Sequence, residues 1–181
     1  MIRAILALAI FLAALPAASQ QPSSTCPKGQ IVREDDPETG AVVLKTALTP
    51  KPDSFDPLLV WASDEPNEVT FVVMGNAAAP KYGTCHTLAL MADGRSVPLG
   101  APRYDGATSG SGVLEYVASD LSWAEAEKLV AAKGMTYTLC KDEVPVDAGF
   151  VCQAREVVEK AAAWRKERAA GKKAANPSGS L

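Results

Sequence analysis

Four cysteines carry the most defined chemistry in this 181-residue sequence: Cys26, Cys85, Cys140 and Cys152. Their spacing contains no C-x-x-C pair for thiol exchange and no C-x-x-C-H motif for haem attachment. Four cysteines allow three disulfide connectivities. We expect Cys140 to pair with Cys152, because this bond would fasten a strand end to the last helix. We expect Cys26 to pair with Cys85, which would fasten the amino-terminal segment to the sheet.

His86 and Glu115 are the other residues that could take part in catalysis. His86 is the only histidine, and because it follows Cys85 in a predicted strand, the two side chains should point to opposite faces and not form a nucleophilic pair. Glu115 interrupts an apolar face shared with Val113 and Val117. If it is buried, an elevated pKa or an unusual partner would mark a site, and if it is exposed it is an ordinary residue at the edge of the sheet. A single histidine and four pairing cysteines do not make a zinc set. The sequence therefore predicts no catalytic residue, no cofactor and no metal site.

Two further segments resemble ligand-binding loops without matching them. Residues 106–112 are rich in glycine and serine, but this segment has no lysine and leads into a predicted strand, whereas a phosphate-binding loop opens a helix. The acidic run at residues 34–38 lacks the alternating ligand spacing and the glycine of a calcium loop. We interpret the first as a mobile connection and the second as a solvated turn.

The first nineteen residues have the pattern of a secretory signal peptide. Arg3 precedes an uninterrupted apolar run at residues 4–15, and small residues at 17–19 provide a cleavage site. No second apolar run of that length follows, so the mature chain should contain no transmembrane segment. We therefore predict a periplasmic or secreted protein, in which the oxidising environment favours structural disulfides.

Charge is distributed unevenly along the chain. Residues 20–154 contain ten Lys or Arg against eighteen Asp or Glu, whereas residues 155–173 contain seven Lys or Arg against three Glu. An acidic body disfavours nucleic-acid binding, which needs a dominant positive surface. The basic end of the last helix would complement the helix dipole, and an anionic partner such as a membrane surface is the alternative.

Hydrophobic alternation and turn residues divide the chain into elements. After the leader we expect an irregular arm at residues 20–40, a single domain at 41–170 and a disordered tail at 171–181. Loops are expected at 76–83 and 100–112, and Asp93-Gly94 has the composition of a tight hairpin turn. Strands are expected at 41–48, 58–62, 69–75, 84–91, 95–99, 113–119, 135–140 and 143–146.

Two helices are indicated by capping chemistry and helical periodicity. Ser122 and Glu125 form a capping box, which predicts a helix at about 122–133 that ends at a left-handed Gly134. Asp147 is available to cap a second helix at about 148–170. An apolar stripe predicts the buried face of that helix, and its members are Phe150, Ala154, Val157, Val158, Ala161 and Trp164.

This order of elements predicts an α+β fold. We expect an antiparallel sheet of about five to seven strands with the helices on one face. Three functions are compatible with the sequence. The first is an exported, disulfide-bonded protein that binds a protein, peptide or envelope component through its sheet or loops. The second is a small extracytoplasmic hydrolase that uses Glu115 with His86, and the third is an envelope structural protein that assembles through the basic terminal helix.

Overall fold

The computed structural model of the chain describes residues 31–48, 54–109 and 112–175. The described residues contain ten strands and two helices, which confirms the predicted α+β class. The elements are β1 Ile31–Asp35, β2 Val42–Thr46, β3 Phe55–Ala62, β4 Glu68–Ala77, β5 Leu88–Ala92, β6 Arg95–Val97, β7 Arg103–Ser109, β8 Gly112–Ser122, α1 Trp123–Ala131, β9 Met135–Leu139, β10 Asp142–Pro145 and α2 Ala148–Ala175. The predicted leader and Cys26 lie outside the described residues.

The strands form two antiparallel sheets. The larger sheet has six strands in the order β1-β2-β3-β4-β8-β7, and the smaller has four in the order β10-β9-β5-β6. The larger sheet falls within the predicted five to seven strands, whereas the separation of four strands into a second sheet was not predicted. In the larger sheet, β4 pairs with β8 over ten consecutive residue pairs, from Glu68–Ser122 to Ala77–Val113.

One face of the larger sheet forms the core. Phe71 of β4 is fully buried and meets the ring of Tyr137 from the smaller sheet and that of Phe150 from α2, both at a centroid distance of 6.2 Å. Trp61 of β3 packs edge-on against Trp164 in the second half of α2. The helices and the smaller sheet therefore cover the same face, and full burial of one such aromatic side chain contributes about 1.5–3 kcal/mol.

Helix α1 begins as its capping chemistry predicts and ends differently. The Ser122 hydroxyl accepts a hydrogen bond from the Glu125 amide, which confirms the predicted cap. The carboxyl-terminal cap is Ala132 in an extended conformation, and Gly134 does not have a positive φ. The prediction of a left-handed Gly134 is wrong. The helix ends at Ala131, and from Ala132 the chain continues in an extended conformation towards β9.

Helix α2 follows its predicted pattern closely. The Asp147 carboxylate accepts a hydrogen bond from the Phe150 amide at 2.9 Å, and Glu156 forms an ion pair with Lys160 one turn later. The predicted stripe faces the core, although Trp164 is only partly buried. The helical backbone continues to Ala175, so the prediction of a disordered tail from residue 171 is wrong for its first five residues.

Two segments predicted to lack regular structure are strands. Residues 31–35, within the predicted irregular arm, pair with β2 as the edge strand β1. Residues 103–109, within the predicted loop 100–112, pair with β8 as β7. Both are edge strands with mostly exposed side chains. Backbone hydrogen bonds to the neighbouring strand hold them in place, so their sequences do not need the alternation of apolar and polar residues that predicts a strand.

Smaller differences concern the ends of two strands. The predicted strand 84–91 begins only at Leu88, because the preceding residues form a loop that packs on the larger sheet. The predicted strand 95–99 ends at Val97, since Pro98 follows. In the described parts of the chain, neither helix is long and apolar enough to cross a membrane.

Candidate functional site

A buried polar cluster centres on Glu115 in the middle of β8. Its side chain is 0% exposed, and it accepts three hydrogen bonds. Oε2 accepts from the Lys81 amide at 2.7 Å, whereas Oε1 accepts from the Tyr82 amide and the Tyr104 hydroxyl, both at 3.0 Å. A carboxylate without water requires such partners. Glu115 therefore fastens the loop between β4 and β5 to the inner face of the larger sheet.

Tyr104 links this carboxylate to His86. The tyrosine ring stacks on the imidazole with a centroid distance of 4.2 Å and an interplanar angle of 8°, and His86 Nε2 lies 3.2 Å from the Gly83 carbonyl oxygen. Gly106 lies opposite Glu115 on β7, and a Cβ atom there would lie only 2.7 Å from the Tyr104 hydroxyl. The absence of a side chain at Gly106 thus leaves room for the hydrogen bond from Tyr104 to Glu115.

A second set of contacts fastens the same loop to the smaller sheet. The Tyr82 hydroxyl donates to Asp142 Oδ2 at 2.9 Å, and Lys81 Nζ lies 2.9 Å from the same oxygen. Lys81 Nζ also lies 4.9 Å from the centroid of the Tyr82 ring. The Lys81 ammonium and the Tyr82 hydroxyl lower the pKa of Asp142, and burial raises the pKa of Tyr82. These three side chains join the loop to β10.

The third attachment is a disulfide between Cys85 and Cys140. The predicted pairs Cys140–Cys152 and Cys26–Cys85 are therefore wrong. The reason is the pairing of β5 with β9. Cys140 directly follows β9 and Cys85 lies three residues before β5, and their Cα atoms are 5.9 Å apart, within the range for a disulfide. Cys152 is also disulfide-bonded.

These contacts give Glu115 and His86 positions that favour anchoring over catalysis. Both contact Tyr104, but no hydrogen bond joins the two side chains among the described residues. The Glu115 oxygens are occupied by protein donors and covered from solvent, so a substrate would have to displace the loop to reach them. The described residues also contain no cluster of three or more side chains that could hold a metal ion. The hydrolase hypothesis gains no support from this geometry and stays an untested prediction.

The opposite face of the larger sheet presents apolar side chains to solvent. Among the described residues, Val32, Leu114 and Tyr116 are the exposed large hydrophobic side chains. The strand registers place all three on this outer face, because directly opposed residues share a face. We call its central part the outer patch, formed by Val72, Met74, Leu114 and Tyr116.

Charged side chains border the outer patch. Tyr116 lies opposite Met74 on one side and Asp105 on the other, and its hydroxyl donates to Asp105 Oδ2 at 2.8 Å. Arg103 of β7 forms an ion pair with Asp120 of β8 farther along the same strands, with Nη2 and Oδ1 2.9 Å apart. The Arg103 guanidinium lowers the pKa of Asp120. An apolar centre within a polar rim is the usual anatomy of a protein interface.

A small cavity lies beside Leu114 at the edge of the outer patch. Its volume is about 220 Å³. Leu48, Met74 and Leu114 supply its apolar walls, and Asp56 lies at its margin. No motif in the sequence singles out Leu114 or Tyr116. The available signal was that residues 113–117 are apolar on both faces of the strand except at Glu115, which is unusual for a strand with one solvated face.

The basic end of α2 packs against the domain. The Arg165 guanidinium lies 4.1 Å from the centroid of Trp123 and donates to Asn67 Oδ1 at 3.0 Å. Arg168 lies 4.7 Å from the centroid of Trp164. The Arg165 contacts stabilise the docking of the helix, whereas the Arg168 contact lies within α2, so both cations are engaged within the chain. Assembly through this helix stays a prediction that no observation here favours.

Comparison with known proteins assigns no family. No protein-family model matches the sequence, and no curated protein matches it. The function is therefore inferred from the surfaces and contacts of the chain itself.

Proposed function

We propose that the protein is an extracytoplasmic binding protein whose outer patch holds a segment of another protein or peptide. The observation that carries the proposal is the position of Leu114 and Tyr116, two of the large apolar side chains exposed in the described residues, next to each other on the outer face of β8. Val32 shares this face of the sheet but lies on the edge strand β1, outside the outer patch. Contiguous exposed apolar surface with a polar rim is typical of interaction sites in proteins. The disulfide between Cys85 and Cys140 is consistent with an oxidising compartment.

The chemistry of the patch indicates what kind of segment it would bind. Tyr116 is held by Asp105, so its ring is pre-oriented and loses little conformational freedom on binding. The cavity beside Leu114 is large enough for one apolar side chain of a partner. Asp56 and Asp105 lie at the two ends of the row that contains Met74 and Tyr116. A segment with an apolar side chain flanked by Lys or Arg would match this arrangement.

Site-specific photocrosslinking in the producing cells tests this function. A photoreactive amino acid in place of Tyr116 should give one discrete adduct with a second protein, and the same amino acid in place of exposed Lys141 on the smaller sheet should not. The substitution Leu114→Asp should abolish the adduct, because it places a charge beside the cavity. Lys141→Asp in the same background should leave it unchanged. Equal adducts at both positions, or none at either, would contradict the proposal.

A further inference from the structure

A groove separates the edge strand β6 from helix α1, away from the outer patch. Its volume is about 680 Å³. On the strand side it is lined by Arg95, Ser96, Val97 and Pro98. On the helix side it is lined by Glu125, Lys128, Ala131 and Ala132. A free sheet edge that faces a helix across a groove is the geometry in which an extended peptide can add as a strand.

The hairpin turn before β6 determines which backbone groups face the groove. Asp93 and Gly94 have φ values of 49° and 73°, as a two-residue type I′ turn requires. Such a turn makes the flanking pair Ala92–Arg95 a hydrogen-bonded pair, and bonded pairs alternate with non-bonded pairs along an antiparallel ladder. Ser96, which lies opposite Met91, is therefore in a non-bonded position. Its N–H and C=O point away from β5 to the free edge.

The other side of β5 confirms this alternation. The Asp93 amide donates to the Gly134 carbonyl, and the Cys140 amide donates to the Thr87 carbonyl. Both bonds use odd-numbered residues of the β5 strand and its extensions to reach β9, so the even-numbered residues must bond to β6. This parity again directs the Ser96 backbone groups outward. Beyond Ser96 the next outward position is Pro98, which offers a carbonyl oxygen but no N–H.

The groove is lined by two carboxylates, those of Asp93 and Glu125, and by two cations, those of Arg95 and Lys128. Glu125 is paired with Lys128 at 2.9 Å, and the Asp93 carboxylate accepts hydrogen bonds from the Lys133 and Gly134 amides. Arg95 has no ion-pair partner within the described part of the chain. Its guanidinium is therefore the charge in this groove that a ligand carboxylate can neutralise, and a bidentate pair would be the strongest such contact.

We propose that the groove between β6 and α1 binds an extended peptide segment that carries a carboxylate side chain. The peptide backbone would add to β6 as a fifth strand of the smaller sheet, accepting from the Ser96 N–H and donating to the Ser96 C=O. An apolar side chain of the peptide would cover the exposed Ala131, and a carboxylate on the same face of the peptide would pair with Arg95. This site is separate from the outer patch, so either can fail without the other.

NMR titration of the purified, oxidised protein tests the proposal. The probe is the eight-residue peptide Thr-Val-Thr-Glu-Thr-Val-Thr-Glu, which presents valine and glutamate on one face of the strand and is acetylated and amidated so that it has no terminal charge. We expect saturable shifts confined to residues of β6 and α1, and slower hydrogen exchange of the Ser96 amide. The substitution Ser96→Pro removes the outward N–H without breaking a ladder bond, so it should weaken binding about fivefold to tenfold, the effect of one hydrogen bond. Ser96→Ala keeps the backbone donor and should bind as the unmodified protein does.

Two peptide controls keep the proposal testable if Ser96→Pro fails to fold. N-methylation of the peptide amide that pairs with the Ser96 carbonyl should weaken binding to a similar extent, and replacement of every glutamate with glutamine should remove the contribution of Arg95. Equal binding of the glutamate and glutamine peptides, unchanged binding after N-methylation, or no shifts in β6 would overturn the proposal. Shifts at Leu114 and Tyr116 in place of β6 would also overturn it, while supporting the proposed function of the outer patch.

Discussion

Replacement of Glu115 by glutamine tests whether this buried carboxylate holds the loop between β4 and β5. Glu115→Gln preserves the size of the side chain but replaces one acceptor oxygen with an NH2 group, which donates. The orientation of the glutamine amide that retains more hydrogen bonds places its NH2 group at the Oε2 position. There it faces the Lys81 amide, which in the native protein donates to Oε2. The Tyr82 and Tyr104 donors keep an acceptor, but it is a neutral one.

The expected magnitude follows from these three contacts. A buried donor that loses its acceptor costs about 1–3 kcal/mol, and hydrogen bonds to a neutral acceptor are about half as strong as those to a charged one. We expect Glu115→Gln to lower the free energy of unfolding by about 2–4 kcal/mol. Tyr104→Phe removes one donor and leaves both backbone bonds, so it should cost about 1 kcal/mol.

Urea denaturation at neutral pH with the disulfides intact measures these values. Glu143→Gln is the matched control, because it makes the same chemical change at an exposed position on β10 and should alter stability by less than about 0.5 kcal/mol. Hydrogen exchange of the Lys81 and Tyr82 amides should accelerate in Glu115→Gln alone. A Glu115→Gln protein as stable as the Glu143→Gln control, with unchanged exchange of those two amides, would refute the anchoring role.

Two further predictions concern the turn before β6 and the disulfide. Gly94→Ala should destabilise the protein by about 1 kcal/mol, because the φ of 73° at this position is unfavourable for an L-residue. Gly134→Ala should be tolerated, since no atom lies within 4 Å of the added Cβ. Thermal denaturation of both variants measures the difference, and an equal fall of the two midpoints would contradict this prediction. The double substitution Cys85→Ala and Cys140→Ala should lower the free energy of unfolding by about 4 kcal/mol in the loop-entropy relation, given the sequence separation of 55 residues. Peptide mapping of the oxidised protein that found Cys140 joined to Cys152 would disprove the pairing itself.

The features that sequence analysis located correctly depend on residues close together in the chain. The caps at Ser122 and Asp147 each use an acceptor and an amide three residues apart, and the turn at Asp93-Gly94 depends on two adjacent backbone conformations. Such chemistry is complete within one turn of chain, so the sequence alone predicts it. The same holds for the apolar stripe of α2, whose period is a property of the helix.

The features that it missed depend on which strands become neighbours. Sequence alternation placed Glu115 on a face with Val113 and Val117, but both faces of that strand are apolar, so the pattern does not say which face is covered. The exposure of Leu114 and Tyr116 follows from the position of the helices and the smaller sheet on the opposite face.

The sequence by itself determined the α+β class, both helices, their amino-terminal caps and one hairpin, because each is encoded in local periodicity or capping. Tertiary structure alone decided the division into two sheets, the pairing of Cys85 with Cys140 and the burial of Glu115 beneath the loop. The disulfide and the contacts of Glu115 with the loop join residues 33 to 55 positions apart. Contacts over such distances depend on strand order and register, which the packing of the whole chain establishes.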